Sequence, residues 1–406
     1  MSQQANAEPA VLQIRCSHGS ESFTAAIKEI EAMRRFRSPN IIRILDSAVV
    51  QEADHTSGFG SVPTSNMAAD GGLGKTVYLF LPFYPLGNIQ DAINRHVLNG
   101  THYSEREMLS LFLGTCKAVQ AMHHYRLHSI PLGDRDSLLD SQSSRGQPSK
   151  RNGMSVRGSG GCKNQTDDSA PLIDGAARNG EFDLFGIESD DASDDDDLPE
   201  RHASVYPPKL SKGKKRAVEQ PSLGGDGTKT GRGGELLPYA HRDIKPGNIM
   251  VAQASSSAGD PEHVPVLMDL GSVTKARIQI SSRRKAVAEQ DLAAERSTLP
   301  YRAPELFDVK TDSTLTESVD IWSLGCTLYA MAYHYSPFET PSMLEQGAST
   351  ALAVLNNKWD FPKDENQIYS KNFKTIVKRC LVFNPERRAN IDEVIELTKK
   401  ALERMA

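Results

Sequence analysis

Three side chains in the stretch HRDIKPGN, residues 241–248, have the types and the spacing of a phosphoryl-transfer site. The carboxylate of Asp243 can accept the proton of an attacking hydroxyl group. Lys245 can neutralise the transferring phosphoryl group, and the amide oxygen of Asn248 can hold Mg²⁺. Phosphoryl transfer needs little covalent help from a protein, because positioning and charge neutralisation supply most of the catalysis. We therefore predict that these three residues are catalytic.

Four further motifs follow in the order typical of protein kinases, which the catalytic stretch also resembles. They are MDLGS (268–272), YRAPELF (301–307), DIWSLG (320–325) and NPERR (384–388). The first offers Asp269 as a second Mg²⁺ ligand. Asp320 is predicted to brace the backbone of the catalytic loop, and Glu305 is predicted to form a buried ion pair with Arg388. The last three residues have architectural roles in this interpretation, not chemical ones.

The elements that must position these residues are mostly helices. Apolar residues recur at helical spacing in five stretches, at 20–36, 104–124, 316–333, 371–381 and 390–404. Ser104 and Glu107 are predicted to form a capping box at the start of the second stretch. Apolar runs at 41–50 and 76–84 are typical of two strands of a hairpin. A small strand-bearing part should therefore precede a larger helical part.

Composition excludes several classes of protein. The chain has 406 residues, with 47 Lys and Arg against 52 Asp and Glu, and this net charge of −5 argues against a nucleic-acid-binding protein. The five cysteines contain no C-x-x-C pair, which favours a reducing compartment over a disulfide framework. The first residues lack the apolar core of a signal peptide, and no run of about 18 apolar residues occurs. We expect a cytoplasmic protein.

Residues 129–236 differ in composition from the rest of the chain. They are poor in Leu, Ile, Val and Phe and rich in Ser and Gly, with an acidic block at 189–200 and a basic one at 209–216. Such a segment cannot bury enough apolar surface to offset its ordering entropy. It is predicted to be a disordered insertion. A second, shorter loop is predicted from Gln51 to Lys75.

Three stretches identify a narrower resemblance. They are LPFYPLGN (81–88), MDLGS (268–272) and EQDLAAERSTLPYRAPELF (289–307). With them, the chain from Cys16 onward, apart from the two insertions, resembles a serine/threonine protein kinase of the Numb-associated kinase family. Its branch is that of the myristoylated and palmitoylated kinases with their fungal vacuolar relatives, and 289–307 is similar to the helical activation segment of that branch. Thr298 would lie near the substrate-docking part of that segment.

The resemblance also implies a nucleotide-binding site at the hinge. Leu81 would be the gatekeeper, and the backbone of Pro82 and Tyr84 would form hydrogen bonds with the adenine. Phe83 would flank the adenine and Met250 would lie beneath it. The cofactors implied are ATP and Mg²⁺, and the partners are protein substrates with Ser or Thr.

The implied fold class is α+β, a two-lobed protein-kinase fold. Its parts are a truncated N-lobe with the hinge at 10–103, the start of the C-lobe at 104–128, the insertion at 129–236 and the rest of the C-lobe at 237–404. Because the branch is anchored through acylated cysteines, peripheral association with Golgi or vacuolar membranes is a further expectation.

The front of the domain departs from the kinase pattern. No G-x-G-x-x-G-x-V loop precedes the first helix. Aligning the family's A-L-K strand with Ala10–Cys16 puts Leu12 where the phosphate-binding lysine belongs. Glu29 then matches the helix glutamate to which that lysine would pair.

Two explanations of this departure are open. Either the sequence lacks the first exons of its gene, or the protein is a pseudokinase-like scaffold. The intact set of Asp243, Lys245, Asn248 and Asp269 favours the first explanation. In both cases the chain as written is expected to be nearly inactive, since each lost charge-stabilising contact costs about a hundredfold or more in rate.

Overall fold

The computed structural model describes residues 9–16, 20–51, 75–127, 234–254, 262–363 and 368–405. Within these ranges the strands are β1 (Pro9–Cys16), β2 (Asp46–Gln51), β3 (Lys75–Pro82), β4 (Arg126–Leu127), β5 (Glu235–Leu236), β6 (Tyr239–Ala240), β7 (Ile249–Gln253), β8 (His263–Leu267), β9 (Thr274–Lys275), β10 (Ile278–Ile280) and β11 (Ser313–Leu315). The helices are α1 (Ser20–Arg35), α2 (Ile89–Asn99), α3 (Glu105–His123), α4 (Arg283–Arg296), α5 (Ser318–Tyr333), α6 (Pro341–Glu345), α7 (Thr350–Leu355), α8 (Lys371–Cys380) and α9 (Ile391–Glu403). The predicted α+β class is confirmed.

The front part of the chain forms an antiparallel sheet with the strand order β1-β3-β2. β2 and β3 pair as the predicted hairpin. In the ladder between β1 and β3, Leu12 lies opposite Leu79, and Ala10 lies opposite Leu81. Residues directly opposite each other share one face of a sheet. Leu12 therefore shares its face with the fully buried Leu79, although its own side chain is 43% exposed.

Helix α1 packs against this sheet and against the helical part of the chain. Of its buried residues, Ala26, Ile30 and Met33 follow helical spacing and form one stripe, and Ala32 is buried on a different face. The helix also contacts the 3₁₀ turn Leu270–Ser272 that follows Asp269. α1 is therefore the element through which the sheet reaches the second half of the chain.

The apolar run at 41–50 is a strand only in its second half, so the prediction of one strand is wrong there. Ile41 forms a parallel bridge with Leu267 of β8, and the Ile42 amide donates to the Leu267 carbonyl at 2.8 Å. The start of this segment is thus bonded to β8, and it joins the sheet only from Leu45, whose amide donates to the Phe80 carbonyl of β3 at 2.8 Å. The other strand ends at Pro82 and not at residue 84.

Helix α5 is the centre of the helical part. Its residues from Val319 to Ala332 are buried all round, and it packs on α3 and α8. Trp322 stacks on Phe338 with ring centroids 5.3 Å apart. Among the helices in the described ranges, none combines the length and the apolar character that crossing a membrane requires.

Helix caps follow the sequence with one correction and one omission. Ser104 accepts a hydrogen bond from the Glu107 amide, but the Glu107 carboxylate lies 3.6 Å from His263 Nδ1, so the predicted capping box is half formed. α2 was not predicted, although Asn88 and Asp91 form a complete capping box and Gly100 ends the helix at φ 61°. A glycine meets that left-handed conformation at little cost.

The two ends of the predicted insertion lie side by side. β4 pairs with β5, with Arg126 opposite Leu236 and Leu127 opposite Glu235. Apart from 234–236, the insertion predicted at 129–236 lies outside the described residues, as does the interior of the predicted loop 51–75. The two-residue ladder therefore joins the segment that follows α3 directly to the segment that leads into β6.

The predicted ion pair between Glu305 and Arg388 is confirmed. The two terminal guanidinium nitrogens of Arg388 donate to the carboxylate, at 2.7 and 3.0 Å. The Arg388 side chain is completely buried and that of Glu305 is 15% exposed, and the Arg388 guanidinium lies 5.1 Å from the Trp322 ring. The pair thus joins the turn at Pro304–Leu306 to the core around α5.

Replacing Glu305 by glutamine is expected to lower the free energy of unfolding by about 3 kcal/mol, because it leaves the buried charge of Arg388 uncompensated. Urea unfolding followed by tryptophan fluorescence measures this change. Glu393→Gln is the matched control, since the pair of Glu393 with Arg379 is 39% exposed on both sides. The control should cost no more than about 1 kcal/mol. Equal losses in the two variants would contradict the prediction.

Candidate active site

The carboxylate of Asp243 is held by four hydrogen-bond donors. Its Oδ1 accepts from the amide and from the hydroxyl of Thr298, at 2.9 and 2.7 Å. Its Oδ2 accepts from Lys245 Nζ at 2.8 Å and from Asn248 Nδ2 at 3.0 Å. Lys245 Nζ also donates to the Thr298 hydroxyl at 2.7 Å. Three predicted site residues, Lys245, Asn248 and Thr298, therefore donate to the carboxylate of a fourth, Asp243, and fix it in one orientation.

Asp320 supports the backbone that carries Asp243. From the start of α5 its carboxylate accepts the amides of His241 and Arg242, each at 2.8 Å, and contacts His123 Nε2 at 3.0 Å. Arg242 adopts the left-handed conformation with φ 67°, which such hydrogen bonds must stabilise because a side chain is unfavourable there. The predicted bracing role of Asp320 is confirmed.

Burial by itself would raise the pKa of Asp320. The hydrogen bond with His123, together with electrostatic attraction to His123 and His241, outweighs burial and lowers that pKa below its ordinary value. A carboxyl group whose pKa is lower in the folded chain stabilises the fold at pH values above its unfolded pKa. That contribution is lost as the pH falls through the folded value.

Replacing Asp320 by asparagine is expected to lower the free energy of unfolding by about 3 kcal/mol near neutral pH, because an NH₂ group then replaces one of the two oxygens that each accept a backbone amide. The difference from the parent protein should shrink as the pH falls below 3.8, the ordinary pKa of the carboxyl group. Urea unfolding at a series of pH values measures this difference. A difference that stays constant down to strong acid would contradict the role assigned to the charge.

The two predicted Mg²⁺ ligands stand at neighbouring points of the backbone. Asn248 uses its amide nitrogen for the carbonyl and the carboxylate of Asp243, which leaves its amide oxygen for a ligand. The Met268 amide donates to the Asn248 carbonyl at 2.9 Å, and Asp269 is the next residue. Leu270 is 1% exposed and supplies the apolar residue expected after Asp269. Carboxylate and amide oxygens are ligands that suit Mg²⁺.

Glu29 of α1 lies close to Asp269, one of the predicted Mg²⁺ ligands. A Cβ atom placed on Gly271 would lie 3.9 Å from Glu29 Oε2 and 3.5 Å from Asp269 Oδ1, so the two carboxylates approach the same point. Burial, and after it the negative charge of Asp269, raises the pKa of Glu29 to about 7. No cation of the described residues forms an ion pair with Glu29. At the predicted lysine position Leu12 supplies only an aliphatic side chain.

The hinge residues lie at the end of β3. Leu81 is 6% exposed, whereas Phe83 is half exposed. Pro82 has no amide hydrogen, so its backbone can only accept a hydrogen bond. The Tyr84 carbonyl accepts from Gly87 at 3.0 Å, and the Tyr84 amide donates to no backbone carbonyl of the described residues.

Met250 in β7 bridges to Asn88 just beyond the hinge. This bridge links the strand that follows the catalytic loop to the start of α2. The predicted adenine floor and the hinge are therefore held together by backbone pairing.

The activation segment contains one helix followed by two turns. The helical character expected for 289–307 is present only up to Arg296, since α4 covers Arg283–Arg296 and 3₁₀ turns follow at Leu299–Tyr301 and Pro304–Leu306. Pro300 is the second residue of the first turn and Pro304 the first residue of the second, and both exclude a continued helix. The break places Thr298 in extended backbone, from which its amide and hydroxyl both reach Asp243.

Sequence reasoning missed one contact of the site. The guanidinium of Arg242 donates to Glu289 of α4 at 2.9 Å, and both side chains are largely buried. The available signal was the arginine beside Asp243, which needs an anion when it is buried. Several acidic residues in 283–307 could have served, so the sequence did not single out Glu289.

Comparison with known proteins gives concordant results. Residues 238–398 match the protein kinase domain. The chain is 30% identical over 377 residues to serine/threonine-protein kinase ENV7 of Saccharomyces cerevisiae, covering 93% of this chain and 78% of the yeast protein. It is 28% identical over 386 residues to serine/threonine-protein kinase ppk13 of Schizosaccharomyces pombe, covering 95% and 80%. Serine/threonine-protein kinase 16 of Rattus norvegicus is 42% identical over 153 residues, which cover 38% of this chain and 46% of the rat protein.

Proposed function

The chain belongs to the serine/threonine protein kinases, and we propose that Asp243, Lys245 and Asn248 carry its transfer of the γ-phosphoryl group of ATP to protein Ser and Thr hydroxyls. The observation that carries this proposal is the convergence of four donors on the Asp243 carboxylate. A base fixed in one orientation can accept the proton of a hydroxyl group that docks beside it. Ser/Thr specificity agrees with Lys245, which contacts both Asp243 and Thr298.

Each residue then has a distinct task. Asp243 orients the attacking hydroxyl and accepts its proton, while Lys245 offsets negative charge at the transferring group. Thr298 ties the activation segment to Asp243, so the substrate-docking segment and the base move together. Asn248 and Asp269 would hold Mg²⁺, because their oxygens are ligands of the right kind. When bound, Mg²⁺ neutralises charge on the phosphates.

The nucleotide would bind along the hinge. The Pro82 carbonyl would accept from the adenine amino group and the Tyr84 amide would donate to the ring. Leu81 would limit the depth of the pocket, with Phe83 and Met250 on either side of the ring. Glu29 would stand at the phosphate end, near Asp269. This arrangement is supported by the half-buried state of Met250 and by the Tyr84 amide, which has no backbone acceptor in the part of the chain that the structure describes.

We assign 10–103 to the N-lobe and hinge and 104–128 with 237–404 to the C-lobe. We also place the chain in the Numb-associated family, in the branch of myristoylated and palmitoylated kinases. Peripheral association with Golgi or vacuolar membranes follows from that branch. Fractionation of cells into cytosol and membranes tests it, and recovery in the cytosol alone would exclude it.

Phosphoryl transfer is tested directly with the purified chain, γ-labelled ATP, Mg²⁺ and mixed protein substrates. Phosphoamino-acid analysis should find label on Ser or Thr and none on Tyr. The second candidate function is a non-catalytic scaffold, which the aliphatic Leu12 at the predicted lysine position favours, since Glu29 pairs with no cation of the described residues. Label no higher than that of an Asp243→Asn variant, both in the chain as written and after Leu12→Lys, would support the scaffold. Peptide mapping of the endogenous N-terminus separates the two explanations of Leu12.

A further inference from the structure

Four side chains form a cluster where α1 ends, which we call the Arg35 cluster: Arg35, Phe36, Tyr125 and Tyr239. The guanidinium of Arg35 lies 5.2 Å from the ring centroid of Tyr239 and 5.9 Å from that of Tyr125. One of its nitrogens also donates to the Tyr239 hydroxyl. The ring of Phe36 meets both tyrosine rings edge to face, at 5.3 and 5.5 Å. A cation is thus held over two rings that pack on each other.

The members of the Arg35 cluster come from distant parts of the chain. Arg35 is the last residue of α1, Tyr125 follows α3, and Tyr239 begins β6. Tyr239 is fully buried and Phe36 is 3% exposed, so water is excluded from one side of the cation. Cation–π attraction is stronger at such desolvated sites than at exposed ones.

The position of the cluster relates it to the active site. Glu29 lies six residues before Arg35 on the same helix, and Asp243 lies four residues after Tyr239. A displacement at Arg35 would therefore change where α1 presents Glu29 relative to Asp243 and Asp269. The neighbouring Arg34 differs, because it is exposed and donates to Ser47 Oγ at 3.2 Å within the front part of the chain.

We propose that Arg35 is a positioning residue for phosphoryl transfer, holding α1 in register with the strand that leads into the catalytic loop. The inference rests on the proposed function of Asp243 and Glu29, but its contacts do not involve them. Tyr239 is its principal partner, through both its ring and its hydroxyl group. The reacting groups themselves are not touched by Arg35.

Four variants test this role: Arg35→Met, Arg35→Lys, Tyr239→Phe and the matched control Arg34→Met. We measure kcat, KM for ATP and the thermal midpoint of each. Arg35→Met should lower kcat about tenfold, which corresponds to about 1.4 kcal/mol in the barrier. Arg35→Lys should recover most of the loss, because it keeps a cation over the rings. Arg34→Met should leave kcat unchanged.

A double-mutant cycle measures the coupling between Arg35 and Tyr239 in kcat, which a purely structural role would leave at zero. If Arg35 acts through Tyr239, the effects of Arg35→Met and Tyr239→Phe on kcat should be less than additive. Additive effects, an equal loss in Arg34→Met, or a fall in thermal midpoint without a change in kcat would overturn the proposal.

Amide hydrogen exchange tests the inference independently of turnover. In Arg35→Met, exchange should quicken in α1 and in residues 241–248 together, with α9 unaffected as an internal reference. Quickened exchange in α1 alone would overturn the coupling. If Asp243→Asn leaves labelling unchanged, the proposed function fails, whereas the exchange result still decides the role of Arg35.

Discussion

Replacement of Asp243 by asparagine is expected to lower the rate of phosphoryl transfer by about 10²–10⁴-fold, the usual contribution of a positioned general base. The amide keeps the size of the carboxylate but cannot accept the proton of the substrate hydroxyl. Its nitrogen would also replace an oxygen that now accepts from Thr298 or from Lys245 and Asn248. The measurement is label transfer from γ-labelled ATP to protein, with the thermal midpoint determined in parallel.

Asp308→Asn is the matched control for this experiment. Asp308 pairs with Lys310 two residues later, as Asp243 pairs with Lys245, but Asp308 is 60% exposed. The control should keep the full rate. Retention of more than about a tenth of the rate in Asp243→Asn would contradict general-base catalysis by this residue.

Replacement of Leu12 by lysine is expected to raise the rate by about a hundredfold, the effect of restoring one charge-stabilising contact in such a site. The side chain at position 12 leaves the sheet on the same face as Leu79, the face on which Val77, Leu79 and Leu81 of β3 are buried. A lysine there would bring its ammonium group toward Glu29, which pairs with no cation of the described residues. The rise should be visible in kcat/KM for ATP, because a lysine at this position contacts the nucleotide phosphates.

Two further variants show whether the gain comes from that contact. Val11→Lys adds the same charge one residue earlier, where the side chain is 55% exposed on the opposite face of β1, and should leave the rate unchanged. Adding Glu29→Gln to Leu12→Lys should remove most of the gain. If Leu12→Lys and Val11→Lys act alike, the assignment of position 12 to the lysine site is wrong.

The helices could be predicted because their apolar stripes are local properties of the sequence. The stripe of α1 and the N-cap residue Ser104 were readable from spacing alone, and Ser104 accepts the expected amide. The run at 41–50 misled, because apolar residues do not reveal which backbone they pair with. Ile41 and Ile42 pair with Leu267, which is more than two hundred positions away.

The same distinction holds within the site. Asp243, Lys245 and Asn248 lie within one short stretch, so their spacing indicated their association. Arg242 with Glu289 and Arg35 with Tyr239 depend on how α4 and α1 pack, and the second pair is separated by 204 positions. Such contacts follow from tertiary packing and leave no periodic pattern in the sequence.

The ladder between β4 and β5 has a consequence for engineering. Paired residues of adjacent antiparallel strands have Cα atoms only about 5 Å apart. The chain therefore leaves the helical part after Leu127 and returns at Gly234 at nearly the same position. Closing a loop at such a point costs entropy that grows only with the logarithm of loop length. A reporter protein whose own termini adjoin could be spliced here, next to Tyr125 and Tyr239, and would sense displacements of α1 as changes in its fluorescence.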